Sequence, residues 1–516
     1  MTTAGATALG PRPLRPRAGA VLAVGRMFRL ELLHSAMLWL LPLAAGLFWY
    51  DAYRPSMAVP PLWSLRALTM QHGALLTFVL PVVGAASWMG SRDSRRGMGD
   101  LAGIAARPRW VRQLVSWAAV TGWALAGYAV CVGVLYAATA RQAAWGGPLW
   151  WPAVVGAAGI PLLAAIGFAA GSCFPGRFTT PLVSIAAFFG LGFSSELAHG
   201  GTSYWQISPI IAGAVDVGPD PGVATFYPYL PDLPIAQLMF LAGLAVAVLG
   251  ALGWPAGSGS RWLRGTAVLV TIAGLISSAT AVGLVGTARL DPHGMMNIPA
   301  LHDAANDQPI RYSPVCSQAA IAVCLNPAFA AYLPVVTSAL QPVVSEVSGL
   351  ASTPTRILQA APTFTQEPND AIGIGAPGLP GTGAIAGARP RVLIVALPDQ
   401  LPGERQPDLT TAEFADQVRA QVGVSLADYV IGSDRRHSQA QQAVRAGMLI
   451  AAGVRLVAPG QRMDERGVTA RGPAPGTAVY RAAQRFAALP GAARLAWLRA
   501  HLRGLRAGRI TLGELP

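Results

Sequence analysis

The chain of 516 residues is 53% hydrophobic and only 12% charged, with a mean hydropathy of +0.44. Its apolar residues gather into uncharged runs of about eighteen or more, the length a bilayer requires, which excludes a purely cytosolic enzyme. All 38 basic residues are arginine, so the chain has no lysine for a Walker A phosphate loop or a Schiff base, and any ATP-driven function must draw on an ATPase in another chain. The net charge of +14 does not point to nucleic acid, because the arginines form no continuous basic face and sit mainly between apolar runs.

Residues 1–32 read as a cytoplasmic tail ending in an amphipathic interfacial helix over about 17–32. Their first apolar stretch, 18–25, is too short for a cleavable signal peptide and runs into Arg26 and Arg29. Seven spans follow at 33–50, 72–89, 115–138, 152–170, 178–195, 236–254 and 265–288. Fourteen arginines lie in the N-terminal tail and alternate short loops, six of them in 91–113 after the second span, against Arg54, Arg66 and Arg141 on the other side. That asymmetry predicts a cytoplasmic N-terminus and, after seven spans, an extracytoplasmic 289–516. No eighth span is expected, since 333–350 carries Glu346 and two prolines and reads as a soluble helix. Trp49, Trp63, Trp88, Trp150, Trp151 and Trp254 fall at span ends, as interfacial anchors do.

The loop at 91–113 reads SRDSRRGMGDLAGIAARPRWVRQ. With the basic helix before the spans and a long semi-apolar loop before the sixth, this layout resembles the membrane subunit of ABC-type exporters, the permease class that moves drugs, lipids and polysaccharides. In that family the corresponding loop runs from an acidic residue through a Gly-Thr pair to an apolar helix and a Pro-Arg element. Asp93, Gly97, Asp100, Leu101, Pro108 and Arg109 fit those places, with Met98 where Thr is usual and Asp in place of Glu. The resemblance covers residues 17–255. It implies that this loop, with Arg95 and Arg96, couples to a separate P-loop ATPase in the cytoplasmic membrane of a bacterium. It also implies that two such subunits, identical or paralogous, form the pathway among membrane lipid. The alternative for the loop is a solvated positive-inside anchor, which six arginines satisfy without a partner.

Segment 196–234 has no arginine and many apolar residues, among them Tyr204, Trp205, Ile207, Ile210, Ile211, Phe226, Tyr227 and Tyr229. The resemblance implies half-helices that fold back toward the membrane; an ordinary outer loop against the C-terminal region fits the residues equally well. Glu31, His34 and His72 lie near span starts and Glu196 at a span end. With no carboxylate or histidine at mid-membrane, proton-driven exchange is disfavoured and an apolar or amphipathic substrate favoured.

Residues 289–365 form an expected extracytoplasmic subdomain in which Cys316 and Cys324 either form a disulfide, which requires the chain to bend between them, or remain two buried thiols. Cys131 and Cys173, in or near spans, read as inert small hydrophobes. Asn326 and Pro327 open a helix whose stripe is Phe329, Leu333, Val336, Leu340, Val343 and Val347, with Gly349 at its end. Gly- and Pro-rich 366–390 reads as a linker. The last subdomain, 391–516, has a strand at 391–397, a capping box at Thr410 and Glu413, and helices near 438–452, 478–489 and 492–507. The final helix sets Leu495, Leu498, Leu502 and Leu505 on one face, flanked by Arg494, Arg499, Arg503 and Arg506. It is either a packed surface helix or a binder of anionic headgroups.

No HExxH, GxSxG or paired CxxC motif occurs, and His293, His302, Asp303 and Asp307 are too loosely arranged for a metal site. No catalytic residue, cofactor or metal is expected. The reading is an α-helical polytopic membrane protein of about seven transmembrane helices (33–288) with a C-terminal α/β extracytoplasmic domain. Its expected function is the permease subunit of an ATP-driven exporter, not itself an enzyme. The first alternative is a membrane-anchored envelope-assembly or sensory protein without transport; a membrane-embedded transferase is the second.

Overall fold

The computed structural model describes residues 17–97, 108–198, 203–213, 222–256, 261–303, 306–361, 363–366, 372–375, 391–398, 400–403, 409–432, 438–461 and 468–516. The N-terminal half is helical, because an apolar run satisfies its backbone most simply within one helix. Its helices are α1 (Arg17–Leu33), α2 (Ala36–Phe48), α3 (Trp63–Gly90), α4 (Arg109–Gln142), α5 (Trp150–Cys173), α6 (Thr179–Glu196), α7 (Asp232–Ala256) and α8 (Arg261–Val285). Ser35 restarts the chain between α1 and α2, its hydroxyl accepting from the Met37 N–H. α2 then runs on through a π-helical turn, Trp49–Tyr53, into a short helix, Arg54–Ala58.

Among the described residues, six helical runs are long and apolar enough to cross a bilayer: α3, α4, α5, the Asp232–Trp254 part of α7, α8, and Pro327–Val347 farther along. The pair Ala23–Leu33 and Ala36–Ala58, bent by 48°, makes a seventh if counted as one span. The first expected span, 33–50, is therefore the second arm of a bent pair. α6 occupies the fifth expected span but is not among the six, because Thr179, Thr180, Ser194, Ser195 and Glu196 dilute its hydropathy.

In the bundle, α3 meets α5 and α7 meets α8 backbone to backbone. A Cβ on Gly171 of α5 would lie 2.1 Å from the Ser87 carbonyl oxygen of α3, and one on Gly167 would lie 2.5 Å from that of Val83. Between α7 and α8, a Cβ on Gly274 would lie 2.4 Å from the Gly243 carbonyl oxygen. Small residues allow this approach. The hydroxyls of Ser277 and Ser278 then donate across it to the carbonyls of Met239 and Phe240, at 3.2 and 3.1 Å.

After α8, β1 (Arg289–Leu290) and β2 (Met296–Asn297) form an antiparallel hairpin. The next strands are β3 (Val315–Cys316), β4 (Ala322–Leu325), β5 (Arg356–Gln359), β6 (Thr363–Gln366), β7 (Ile372–Gly375) and β8 (Val392–Val395). Helix α9 (Leu333–Val347) connects β4 to β5. The main sheet has the order β3-β4-β5-β8, with β4, β5 and β8 parallel and β3 antiparallel to β4. There follow α10 (Thr411–Ile431), α11 (Gln439–Ala451), a parallel pair of β9 (Arg455–Val457) and β10 (Thr469–Arg471), α12 (Ala478–Ala488) and α13 (Gly491–Arg506).

Pro327–Val347 is apolar enough to span, yet its stripe of Phe329, Val336, Leu340, Val343 and Val347 is buried in the core of this α/β domain. Glu346 of α9 meets Arg494 of α13 through two short contacts of 2.6 and 2.5 Å. Arg494, expected beside the apolar face of α13, belongs to its buried stripe with Leu498, Leu502 and Leu505.

Residues on both sides of the 366–390 segment share one sheet, since β5 pairs with β8, and one core joins Leu340 to Phe414, Val444 and Phe486. Within that segment β7 pairs antiparallel with β6. Leu62, Leu65 and Leu68 at the start of α3, and Val223, Phe226 and Leu230 ahead of α7, enter the same core. The domain thus stands on the end of the bundle where α3 and α7 begin.

Candidate functional site

At the end of the bundle away from the domain, a short helix, Arg92–Arg95, turns off α3. Arg92 grips Glu31 of α1 with both terminal nitrogens, at 2.9 and 2.7 Å, and its Nε lies 4.0 Å from Asp93. The Arg95 guanidinium sits 3.4 Å over the Trp88 ring and donates to the Trp88 carbonyl at 2.8 Å. Arg96 and Gly97 are exposed, with Gly97 at φ +64°, where the missing side chain allows the turn. Asp100 and Leu101 lie outside the described residues. Pro108 and Arg109, both exposed, open α4, and the Trp110 indole donates to the Leu249 carbonyl of α7 at 3.0 Å. Asp93, Arg95, Arg96 and Gly97 therefore share one turn, braced against α1 and α3.

The opposite end is built differently. A 3-10 turn, Tyr204–Ile207, and the residues after it tuck in among the helix ends, with Gln206, Ile207, Ser208, Ile210 and Ile211 buried. Such irregular backbone needs donors for its carbonyls. The Gln71 amide of α3 donates to Pro209 and Ile211 at 3.1 and 3.2 Å. The Gln237 amide of α7 donates to Ser208 and Ile211 at 2.8 and 2.9 Å. The Ser194 hydroxyl of α6 lies 2.6 Å from that of Ser208. Segment 196–234 thus divides: 203–213 folds in between helices, and 223–230 packs into the domain core.

Gln71 and Gln237 carry no charge, so the ionisable residues of the sequence do not point to them. Their signal is a lone primary amide at the edge of an apolar run, which burial obliges to find acceptors. Asp51 was missed as well: the π-helical turn brings it alongside His72, with Gly73 against its carbonyl. A cavity of about 20 Å³, bounded by Leu68, Ala212, Tyr229, Leu233, Met295 and Met296, lies beside the tucked segment and has room for about one water.

In the domain, Cys316 and Cys324 are cross-strand partners of β3 and β4 with their sulfurs bonded. Cys131 is half-buried and Cys173 exposed. Among the described residues no group of three or more His, Cys, Asp or Glu is placed to hold a metal ion. Arg506 donates to the carbonyls of Tyr429 and Val430 at the end of α10, capping that helix. Compared with family models, curated proteins and solved structures, the chain matches none.

Proposed function

We propose that the chain is the membrane-spanning subunit of an ATP-driven exporter of an apolar or amphipathic substrate, powered by a separate P-loop ATPase and completed by a second identical or paralogous subunit. The observation that carries this reading is the braced turn at Arg92–Gly97. An ATPase acts on a membrane subunit only through a projection stiff enough to transmit force. This one is tied to α1 by Arg92–Glu31 and to α3 by Arg95–Trp88, and it leaves Arg96 exposed, where an acidic partner could meet it.

The helix interiors support an uncharged path. Apart from His72, the charge-bearing side chains of α3 to α8 lie in first or last turns. Arginine bias assigns the braced turn to the cytoplasm and the C-terminal domain to the outside of a bacterial cytoplasmic membrane. A disulfide there suits an oxidising compartment.

Two measurements test the reading. Purification from native membranes in mild detergent is expected to bring down a stoichiometric P-loop ATPase. Cysteines at Ser94 and Ala500, both exposed, are expected to label from opposite sides of intact cells. Purification without an ATPase would favour the anchored envelope-assembly or sensory protein, and labelling of both from one side would contradict the seven-span topology.

A further inference from the structure

Three segments converge where the bundle meets the C-terminal domain: residues 222–230 leading into α7, the β1–β2 hairpin after α8, and the chain that follows through His302 and Asp307. Asp291 sits in the hairpin turn, where its Oδ1 accepts from the N–H groups of His293 and Met295 at 3.0 and 2.7 Å. The His293 ring stacks on that of Tyr227, centroids 3.5 Å apart. His302 Nε2 lies 2.8 Å from Asp307 Oδ1, and Asp232 of α7 accepts from the Ile298 N–H at 2.7 Å. The Ile310 N–H closes the group by donating to the Phe226 carbonyl at 2.8 Å.

Four polar atoms in this cluster are buried without a hydrogen-bond partner among the described residues: Asp291 Oδ2, Asp307 Oδ2, Tyr227 Oη and His293 Nδ1. Asp291 and Tyr227 are each only 3% exposed. An ionised Asp291 would leave Oδ2 buried with no donor within hydrogen-bond reach among the described residues, and near the Asp307 charge. One proton on Asp291 Oδ2 removes a charge and supplies an O–H donor.

We propose that the buried Asp291 carboxyl holds a bound proton where these three segments pack together, so that docking of the C-terminal domain on α7 and α8 depends on pH. The proton is taken from solvent and returned to it, and no other bond changes. The other titratable groups of the cluster are Tyr227 from the segment before α7, Asp232 on α7, His293 on the hairpin, and His302 and Asp307 beyond it. Arg289 is exposed, and β6 contributes Phe364, which does not titrate. Burial pushes the Asp291 carboxyl up to about 6 against the two backbone N–H groups; Asp307 adds to the rise and His302 opposes it. Burial holds the His293 imidazole down, and burial together with Asp291 and Asp307 pushes the Tyr227 hydroxyl up to about 12. A carboxyl raised on docking binds its proton more tightly in the docked state, so docking weakens as pH rises from 3.8 through about 6.

The test is hydrogen–deuterium exchange of residues 289–298 in the full chain in detergent, corrected for the intrinsic pH dependence of exchange. Protection is expected to be about tenfold greater at roughly pH 5 than at roughly pH 8. Asp291→Asn, neutral and able to donate, should abolish the step; His302→Asn should keep it. Asp307→Asn should move it to lower pH by removing the neighbouring charge. The proposal is overturned by equal protection of the unaltered chain at both pH values, or by an unchanged step in Asp291→Asn. If Asp291→Asn does not fold, loss of the step in His302→Asn or an unmoved step in Asp307→Asn overturns it instead.

Discussion

At the arginine-rich end of the bundle, Arg92 and Arg95 hold Glu31 and the Trp88 ring within reach of water, whereas at the domain end Gln71 and Gln237 bind backbone carbonyls in full burial. The first end uses charge where solvent can screen it, and the second uses neutral amides where nothing can. Their sensitivities should differ accordingly. A partly exposed ion pair contributes about 0–1 kcal/mol, while a buried carbonyl stripped of its donor costs about 1–3 kcal/mol. The C-terminal domain adds an instructive third case, because Glu346–Arg494 repeats the two-point Arg–Glu contact of the exposed end in a buried setting. Its side chains are 9% exposed each, against 15% and 26% for Glu31 and Arg92.

The largest effect should come from the bundle's backbone contacts. Gly171→Val places a side chain where even a Cβ lies 2.1 Å from the Ser87 carbonyl oxygen, and a loss above about 4 kcal/mol is expected. Gly133→Val, with nothing within 4 Å of its Cβ, should leave the protein monodisperse in size-exclusion chromatography. Next, Arg494→Met should cost about 3–5 kcal/mol by stranding Glu346, and adding Glu346→Leu should recover much of that in thermal unfolding. Gln237→Leu, which removes donors from Ser208 and Ile211, should cost about 2–3 kcal/mol and open a cysteine placed at Ile210 to alkylation. The smallest change, within about 1 kcal/mol, is expected for Glu31→Gln. A larger loss in Glu31→Gln than in Gln237→Leu would invert the comparison.

Much of the bundle was legible because hydropathy is a local property and each apolar run is long enough to declare itself. The caps at Asn326 and at Thr410 with Glu413 were legible for the same reason, since their partners lie within three residues. The shared sheet across 366–390 was not, because parallel pairing of β5 with β8 leaves no local mark and Gly-Pro composition signals only a loop. Arg494 was misplaced because charge predicts exposure unless a distant partner is known, and Glu346 is 148 residues away. Of the candidate loop, Asp93 through Gly97 could be followed into one turn; the bracing by Trp88 and Glu31 required three dimensions.

The most direct test of the account is recovery of the ATPase with a chain carrying Arg95→Glu and Arg96→Glu. Arg96 is exposed, and the turn keeps its Arg92–Glu31 brace although Arg95→Glu gives up the Trp88 contact, so insertion and thermal stability should be nearly unchanged. Like charges meeting across an interface cost several kcal/mol, so ATPase recovered per mole of chain should fall at least about tenfold. Undiminished recovery with the double variant would contradict the account and leave the turn as a topological anchor.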